Sequence, residues 1–165
     1  MSHLLTQERA ELAVELAMSI FFQLQNRTII KDEDLHITIL DPAYKGDFDE
    51  FGRGIILFER SIGDQSKWTY NYKEIARRKA KMTYEHKLPG QVIVEQMPYL
   101  LERDDTKYWG SAYLNGIVVA VSGLDQHFDQ MMAEIIASLC KGLCLDEMCK
   151  NIVPAEGGTM DGSKL

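Results

Sequence analysis

The sequence has no apolar run of the roughly 18 to 20 residues that a membrane-spanning helix requires. Residues 1–7 also lack the basic stretch and apolar core of a cleavable secretory signal. Positive charge is scarce, since 18 Lys and Arg stand against 25 Asp and Glu for a net charge of −7. A protein that grips nucleic acid needs a basic surface to meet the phosphates. The composition therefore argues against both a membrane and a nucleic acid as partner.

Cysteine is rare, with only Cys140, Cys144 and Cys149 near the end of the last apolar segment. An odd number of closely spaced cysteines is not a disulfide framework. Cys140 and Cys144 would share a helix face, which can bind a metal, but small apolar side chains on a packed helix need no ligand. No histidine lies nearby at metal-binding spacing, so we predict no metal site.

What is present is typical of one globular domain. Hydrophobic residues make up 45% of the chain and charged residues 26%. We assign residues 1–150 to a single domain. Residues 151–165 are polar and rich in glycine, without an apolar stripe, and are predicted to form a flexible tail.

The central unit covers residues 112–142 and predicts strand, tight turn, strand and helix. Asn115-Gly116 lies between two apolar runs, a strong β-hairpin signal because both turn positions need a positive φ. Residues 117–121 are almost all β-branched and predict a central strand buried on both faces. After Ser122-Gly123 the apolar residues recur at helical spacing, with Ser122 or Asp125 as the expected cap.

The remaining pattern predicts helices at residues 4–24 and 70–86, paired antiparallel strands at 35–40 and 54–62, and a short strand at 91–94. Thr6 is the expected N-cap of the first helix. The apolar face of that helix is wide. It either packs against the sheet on one side and another subunit on the other, or it is buried within one subunit.

Lys79 falls on the core-facing stripe of the helix at 70–86, together with Thr83 and His86. A buried unpaired ammonium is costly, so an inward lysine is paired, reaches a cleft, or extends its stem to the protein surface. The functional interpretation is a cation that anchors an acidic group of a ligand. The opposite side carries basic residues interpreted as a solvated face, Arg77, Arg78 and Lys81.

The sequence ends in Ser163-Lys164-Leu165, the tripeptide that peroxisomal import receptors bind at a free C-terminus. In a eukaryotic source this predicts a peroxisomal or glycosomal protein with the import receptor as a partner. In a bacterial source the tripeptide has no such meaning, and a cytoplasmic protein is expected.

Three segments together resemble the GlcG/HbpS-like family, also described as the haem-degrading or haem-binding domain family, and the C-terminal domain of PduO cobalamin adenosyltransferases. The resemblance covers roughly residues 4–143. Leu5-Thr6 is similar to the start of the family's first helix. The family's Ala-x-x-Lys-Ala pattern, its strand ending in Val-Ser-Gly and its early acidic helix residue are matched by Ala76, Lys79, Ala80, Thr83, Val121-Ser122-Gly123 and Asp129.

The resemblance implies an α/β (α+β) fold with an antiparallel sheet of about five strands, flanked by helices in a profilin-like three-layer arrangement. It also implies a homo-oligomer, which the wide face of the first helix fits. No cofactor is assigned, but the resemblance makes haem a candidate, with His86 or His127 as possible axial ligands. Trp109-Gly110 stands where the family has a glycine-rich segment, and we expect it to form one wall of the site.

The sequence leaves three functions open. The first is a domain that binds haem or another carboxylated small molecule, because N–H groups near Ser122-Gly123 favour an anion and Lys79 would add positive charge. The second is an enzyme acting on a small carboxylate, without any nucleophile or phosphate-binding motif. The third is a structural or interaction protein whose oligomer is its function. No catalytic residue is assigned, and the expected ligand-binding residues are Lys79, Thr83, Trp109, Gly110, Ser122 and Gly123.

Overall fold

The structure, a computed structural model, describes residues 4–48 and 55–151. These two stretches form a mixed α+β fold with an open antiparallel sheet in the strand order β2-β1-β4-β3. The strands are β1 (Leu35–Leu40), β2 (Ile56–Ile62), β3 (Ser111–Leu114) and β4 (Ile117–Ser122). The helices are α1 (Gln7–Asn26), α2 (Tyr72–His86), α3 (Gly90–Gln96) and α4 (Gln126–Asn151).

The predicted hairpin is confirmed. Asn115 and Gly116 form the turn between β3 and β4 with φ angles of 51° and 93°, which is why this pair is needed there. β4 is central, pairing with β3 on one side and β1 on the other. All six residues of β4 are buried, as the unbroken apolar run predicts.

Helices cover both faces of the sheet. α1 and α4 pack on the face that carries Ile37, Val119 and Val121, while α2 packs on the face that carries Val118 and Ala120. β1 is therefore buried along its whole length. Its successive side chains point alternately to the two faces of the sheet, and helices cover both. The predicted pairing of the first two strands is also confirmed.

The predicted strand at residues 91–94 is wrong, because these residues lie in α3. A short apolar run does not distinguish a strand from a helical turn, and here Pro89 starts a helix that packs against α2 and β3.

At the free edge of β3, Gln130 of α4 takes the place of a neighbouring strand. Its Oε1 accepts from the Ser111 N–H at 3.1 Å, and its Nε2 donates to the Ser111 carbonyl at 2.9 Å. The described part of the sheet thus has four strands instead of the expected five.

The N-caps of α1 and α2 follow from the sequence. Thr6 Oγ1 accepts from the Arg9 N–H at 3.3 Å and caps α1, as predicted, and Asn71 caps α2 through the Glu74 N–H at 3.2 Å. α4 continues to Asn151, so all three cysteines lie within it. The remainder of the predicted tail, including the terminal tripeptide, lies outside the described residues.

Candidate functional site

A cleft opens where β4 ends and α2 meets the start of α4, with a volume of about 640 Å³. It brings together four of the residues predicted to contact a ligand, namely Lys79, Ser122, Gly123 and His127. The other lining residues come from α2, α4 and the connecting loops. They are Asp32, Tyr70, Tyr72, Ile75, Tyr108, Leu124, Asp125, Gln126 and Asp129.

Lys79 is buried at the floor of this cleft and is paired. Its Nζ donates to Asp129 Oδ2 at 3.0 Å and to the Val121 carbonyl at 2.8 Å. The Lys79 and Asp129 side chains are only 1% and 3% exposed. The sequence predicts the inward position of Lys79, but its ammonium group already forms an ion pair with Asp129 within the protein.

Burial sets the protonation behaviour of this pair. Desolvation raises the pKa of Asp129 to about 6, although Lys79 and backbone N–H groups of Leu124 and Gly123 act in the opposite direction. Desolvation likewise lowers the pKa of Lys79, against the attraction of Asp129. A carboxyl group that titrates near neutral pH at the floor of a cleft can exchange a proton under physiological conditions.

The start of α4 offers less to an anion than the sequence suggests. Asp129 Oδ1 accepts from the Leu124 N–H at 3.0 Å, so a carboxylate of the protein occupies this donor. A negatively charged residue in the first turn is favourable to the helix, and here it also fills the position expected for a ligand.

Gly110 lies directly behind the ion pair but is not among the residues that line the cleft. Its φ is +146°, and a Cβ at this position would lie 2.6 Å from the Asp129 Cβ and 2.9 Å from the Lys79 Nζ. Only glycine permits this approach. Trp109 is buried beside it, at 8% exposure, but does not line the cleft.

Two predicted residues lie away from the cleft, one and two helical turns further along α2. Thr83 Oγ1 is 2.7 Å from Ser111 Oγ, and this buried hydrogen bond joins α2 to β3. His86 Nε2 is buried and has no hydrogen-bond partner among the described residues. Neither side chain lines the cleft.

Tyrosines form much of the cleft wall, a feature that the sequence analysis missed. Tyr70 and Tyr72 meet at a steep angle of 62°, with ring centroids 6.4 Å apart. Trp68 packs behind Tyr72, at a centroid distance of 5.2 Å. The signal was present in the sequence as Trp68-Thr69-Tyr70-Asn71-Tyr72, which leads into the first residue of α2, but nothing in it indicates that Tyr108 joins the same wall.

Next to the cleft, a second polar cluster ties β1 and β2 to α2. Arg77 donates twice to Glu59, at 2.8 Å from both Nε and NH2, which corrects the sequence interpretation of Arg77 as part of a solvated face. His36 contacts Ser61 Oγ through Nδ1 at 2.7 Å and Glu59 Oε1 through Nε2 at 3.3 Å. Burial alone would raise the pKa of Glu59, but the hydrogen bonds and charges of Arg77 and His36 hold it far below its usual range.

The cleft does not fit haem. A haem needs cations for its propionates and an axial ligand, but the lysine present is paired and the free charges of the cleft are carboxylates. His127 is the histidine on the cleft wall, and it is exposed at the start of α4. His86, the other candidate axial ligand, does not reach the cleft.

The described residues contain no cluster of three or more His, Cys, Asp or Glu that would hold a metal. Burial raises the pKa of the Cys140 thiol to about 12, which makes it an unreactive core side chain. None of the described helices is long and apolar enough to cross a bilayer.

No family model, curated protein or solved structure matches this chain closely enough to identify a relative.

Proposed function

We propose that the protein is a small-ligand-binding domain whose site is the cleft between α2 and the start of α4. The carrying observation is the convergence of Lys79, Ser122, Gly123 and His127 with three tyrosines around one cavity of about 640 Å³. Pockets of this size, with apolar walls and a few polar groups, are typical of small-molecule sites. The perturbed Asp129 carboxyl at the floor adds support.

The proposal includes membership of the GlcG/HbpS-like family and its profilin-like arrangement. Two observations support this. The order of helix, two strands, helix, hairpin and helix is the one that the resemblance implies, and the helices cover both faces of the sheet. Lys79 and the Val121-Ser122-Gly123 segment, which carry the resemblance, also meet at the cleft. α3 stands where a fifth strand was expected.

A ligand screen tests the binding function. Both tryptophans, Trp68 and Trp109, flank the cleft region, so intrinsic fluorescence and thermal stabilisation should respond to compounds that bind there. Tyr72→Ala should abolish the response because it removes the half-buried wall. Tyr99→Ala is the matched control, since Tyr99 is 76% exposed and outside the cleft. Equal responses in both variants would place the binding elsewhere.

We also propose that the chain assembles with copies of itself through the outer side of α1 and α4. Leu12, Leu16 and Ile20 follow one another at four-residue spacing on α1, and they are 42%, 45% and 37% exposed. On α4, a groove of about 540 Å³ runs along the outer face. Its lining is almost entirely apolar or small, with Met131, Glu134, Ile135, Ser138, Leu139, Gly142 and Leu143.

Gly142 supports a second copy as the occupant of this groove. A Cβ at Gly142 would meet nothing within 4 Å, so no contact within the chain requires glycine there. Glycine in the interior of a helix costs about 1 kcal/mol relative to alanine. A ridge of residues spaced by four packs into such a groove, and α1 of a second copy offers that ridge at Leu12, Leu16 and Ile20.

Light scattering coupled to size exclusion tests the assembly. Gly142→Gln should give monomers of unchanged or higher thermal stability, because the new side chain fills the groove and is a better helix former. Gly142→Ala adds one methyl group and should weaken assembly less. A wild-type protein that is monomeric at high concentration, or a Gly142→Gln variant that assembles normally, would reject this interface.

Import into peroxisomes or glycosomes through Ser163-Lys164-Leu165 is proposed from the sequence. Deleting the tripeptide in cells of a eukaryotic source should move the protein to the cytosol. Replacing Leu165 with Lys should have the same effect without shortening the chain. Unchanged localisation of both variants would exclude this address.

A further inference from the structure

We propose that the cleft selects an organic ammonium cation, a small molecule with an alkylated amine. This inference rests on the binding function proposed above and names its ligand class. It differs from the carboxylated ligand that the sequence favours. It is carried by the charges that remain free in the cleft and by the geometry of its aromatic wall.

The charge balance of the cleft is negative. Three carboxylates, those of Asp32, Asp125 and Asp129, line it with one ammonium group, that of Lys79. Because Lys79 and Asp129 pair at 3.0 Å, the charges of Asp32 and Asp125 are left over. Within the part of the chain that the structure describes, neither of these two carboxylates forms an ion pair. Both side chains are exposed at the cleft rim, where they can meet an incoming cation.

Two groups that would attract an anion, the Lys79 ammonium and the Leu124 N–H, are already occupied. The Lys79 ammonium donates hydrogen bonds to Asp129 and to the Val121 carbonyl, and the Leu124 N–H donates to Asp129. An anionic ligand that used these two groups would have to displace the Asp129 carboxylate. It would also have to approach a protein of net charge −7, whose field attracts cations.

The aromatic wall has the form that binds ammonium groups. Tyr70 and Tyr72 both line the cleft and meet edge to face, at 62° with centroids 6.4 Å apart. Ring faces attract alkylated ammonium groups through their quadrupole. Tyr108, the third ring of the cleft, already has the Lys107 ammonium 5.6 Å from its centroid. Burial and then the charges of Asp34 and Asp32 raise the pKa of Tyr72, so the negative field extends to this wall.

Three probes of similar shape distinguish the ligand classes. Choline carries the cation, 3,3-dimethylbutan-1-ol is its neutral counterpart, and 3,3-dimethylbutanoate carries a carboxylate. Titration calorimetry and tryptophan fluorescence on the full chain should show choline binding roughly tenfold more tightly than the neutral alcohol. The binding should weaken as salt rises, because the rim charges are exposed and screened. The carboxylate should bind most weakly.

Variants connect the selectivity to the named residues. Asp32→Asn and Asp125→Asn should each weaken choline binding about three- to tenfold and leave the neutral alcohol unaffected. Tyr72→Leu should remove the preference for the cation. Glu95→Gln, which removes the same charge from the exposed side of α3 outside the cleft, is the matched control and should change nothing. Tyr72→Phe keeps the ring and should retain binding if the variant folds.

The outcomes separate this inference from the proposed function. If the alcohol or the carboxylate binds as tightly as choline and the Tyr72→Leu variant loses that binding, the cation preference is rejected and the binding function stands. If none of the probes binds at millimolar concentration, both proposals are rejected for ligands of this size. Choline binding that the Asp32→Asn and Asp125→Asn variants leave intact also rejects the rim carboxylates as the source of the preference.

Discussion

Lys79 and Asp129 meet around the end of β4, although their helices lie on opposite faces of the sheet and the residues are 50 positions apart. The ammonium of α2 and the carboxylate of α4 approach to 3.0 Å, with the Val121 carbonyl as a third partner. The pair thus joins the two helical layers at the floor of the cleft. Its first role is structural, and any ligand must be recognised in its presence.

Lys79→Met is expected to destabilise the protein by about 3–5 kcal/mol, because it leaves the Asp129 carboxylate buried without its partner. Urea unfolding measures the change. The double variant Lys79→Met with Asp129→Leu should recover a substantial part of the loss, since it removes both charges. Lys81→Met is the control and should cost less than about 1 kcal/mol, as its ion pairs are long and partly exposed. A small effect of Lys79→Met would mean that the pair is open to water.

Asp129 should titrate near pH 6, above its ordinary value of 3.8. Between these pH values the folded state binds more protons at this carboxyl than the unfolded state, so this group lowers the free energy of unfolding as pH rises. The contribution is on the order of 1–3 kcal/mol. Carbonyl-labelled NMR should show the transition, and Asp129→Asn should remove it together with that part of the pH dependence. A midpoint near 4 would contradict the burial described for this side chain.

A series of Gly→Ala variants should separate the stability cost of a steric contact from the cost of a positive φ angle. Gly110→Ala should cost about 3 kcal/mol or more, because the methyl group meets Asp129, Lys79 and a carbonyl. Gly116→Ala has a positive φ but open space, and should cost about 1 kcal/mol. Gly142→Ala should stabilise the monomer by about 1 kcal/mol. Thermal unfolding of dilute protein measures all three, and any other order would argue against the packing at Gly110.

The Glu59–Arg77 contact should make the protein sensitive to acid. The pKa of Glu59 is held far below its ordinary value of 4.5, so the stability it contributes is present above pH 4.5 and is lost as the pH falls further. Arg77→Gln should reduce stability by about 1–2 kcal/mol at pH 7 and by less at pH 3. Arg78→Gln is the control, because Arg78 contacts only Glu74 on the exposed side of α2 among the described residues. Equal losses at the two pH values would show that Arg77 acts through packing alone.

Local signals in the sequence predicted much of the fold. Asn115-Gly116 and the run after it specify a turn and a buried strand by backbone geometry and packing that neighbouring residues determine. Thr6 as the N-cap and the apolar spacing of α1 are signals of the same kind, because each depends only on residues close in the chain. The strand expected at residues 91–94 failed because a run of three apolar residues suits a helical turn as well as a strand, and contacts with α2 and β3 decided between them.

The site was predicted less completely, because its groups are distant in the chain. The inward position of Lys79 follows from helical spacing, but its pairing with Asp129 depends on two layers meeting. The Arg77–Glu59 contact and the entry of Tyr108 into the cleft are likewise consequences of tertiary packing. The sequence located the start of α4, where an anion was expected to bind. It could not show that the Asp129 carboxylate occupies the Leu124 N–H there.

The contact between Gln130 and Ser111 has a consequence for solubility. β3 lies at the edge of the sheet, and an open edge invites strands from other molecules to add to it. Gln130 satisfies both outward backbone groups of Ser111 with one side-chain amide, at 3.1 and 2.9 Å, so an incoming strand finds them occupied. The Gln130 amide thereby hinders edge-to-edge aggregation through β3. Gln130→Ala should accordingly raise the rate of thioflavin-positive aggregation under mildly destabilising conditions, by more than its effect on unfolding explains.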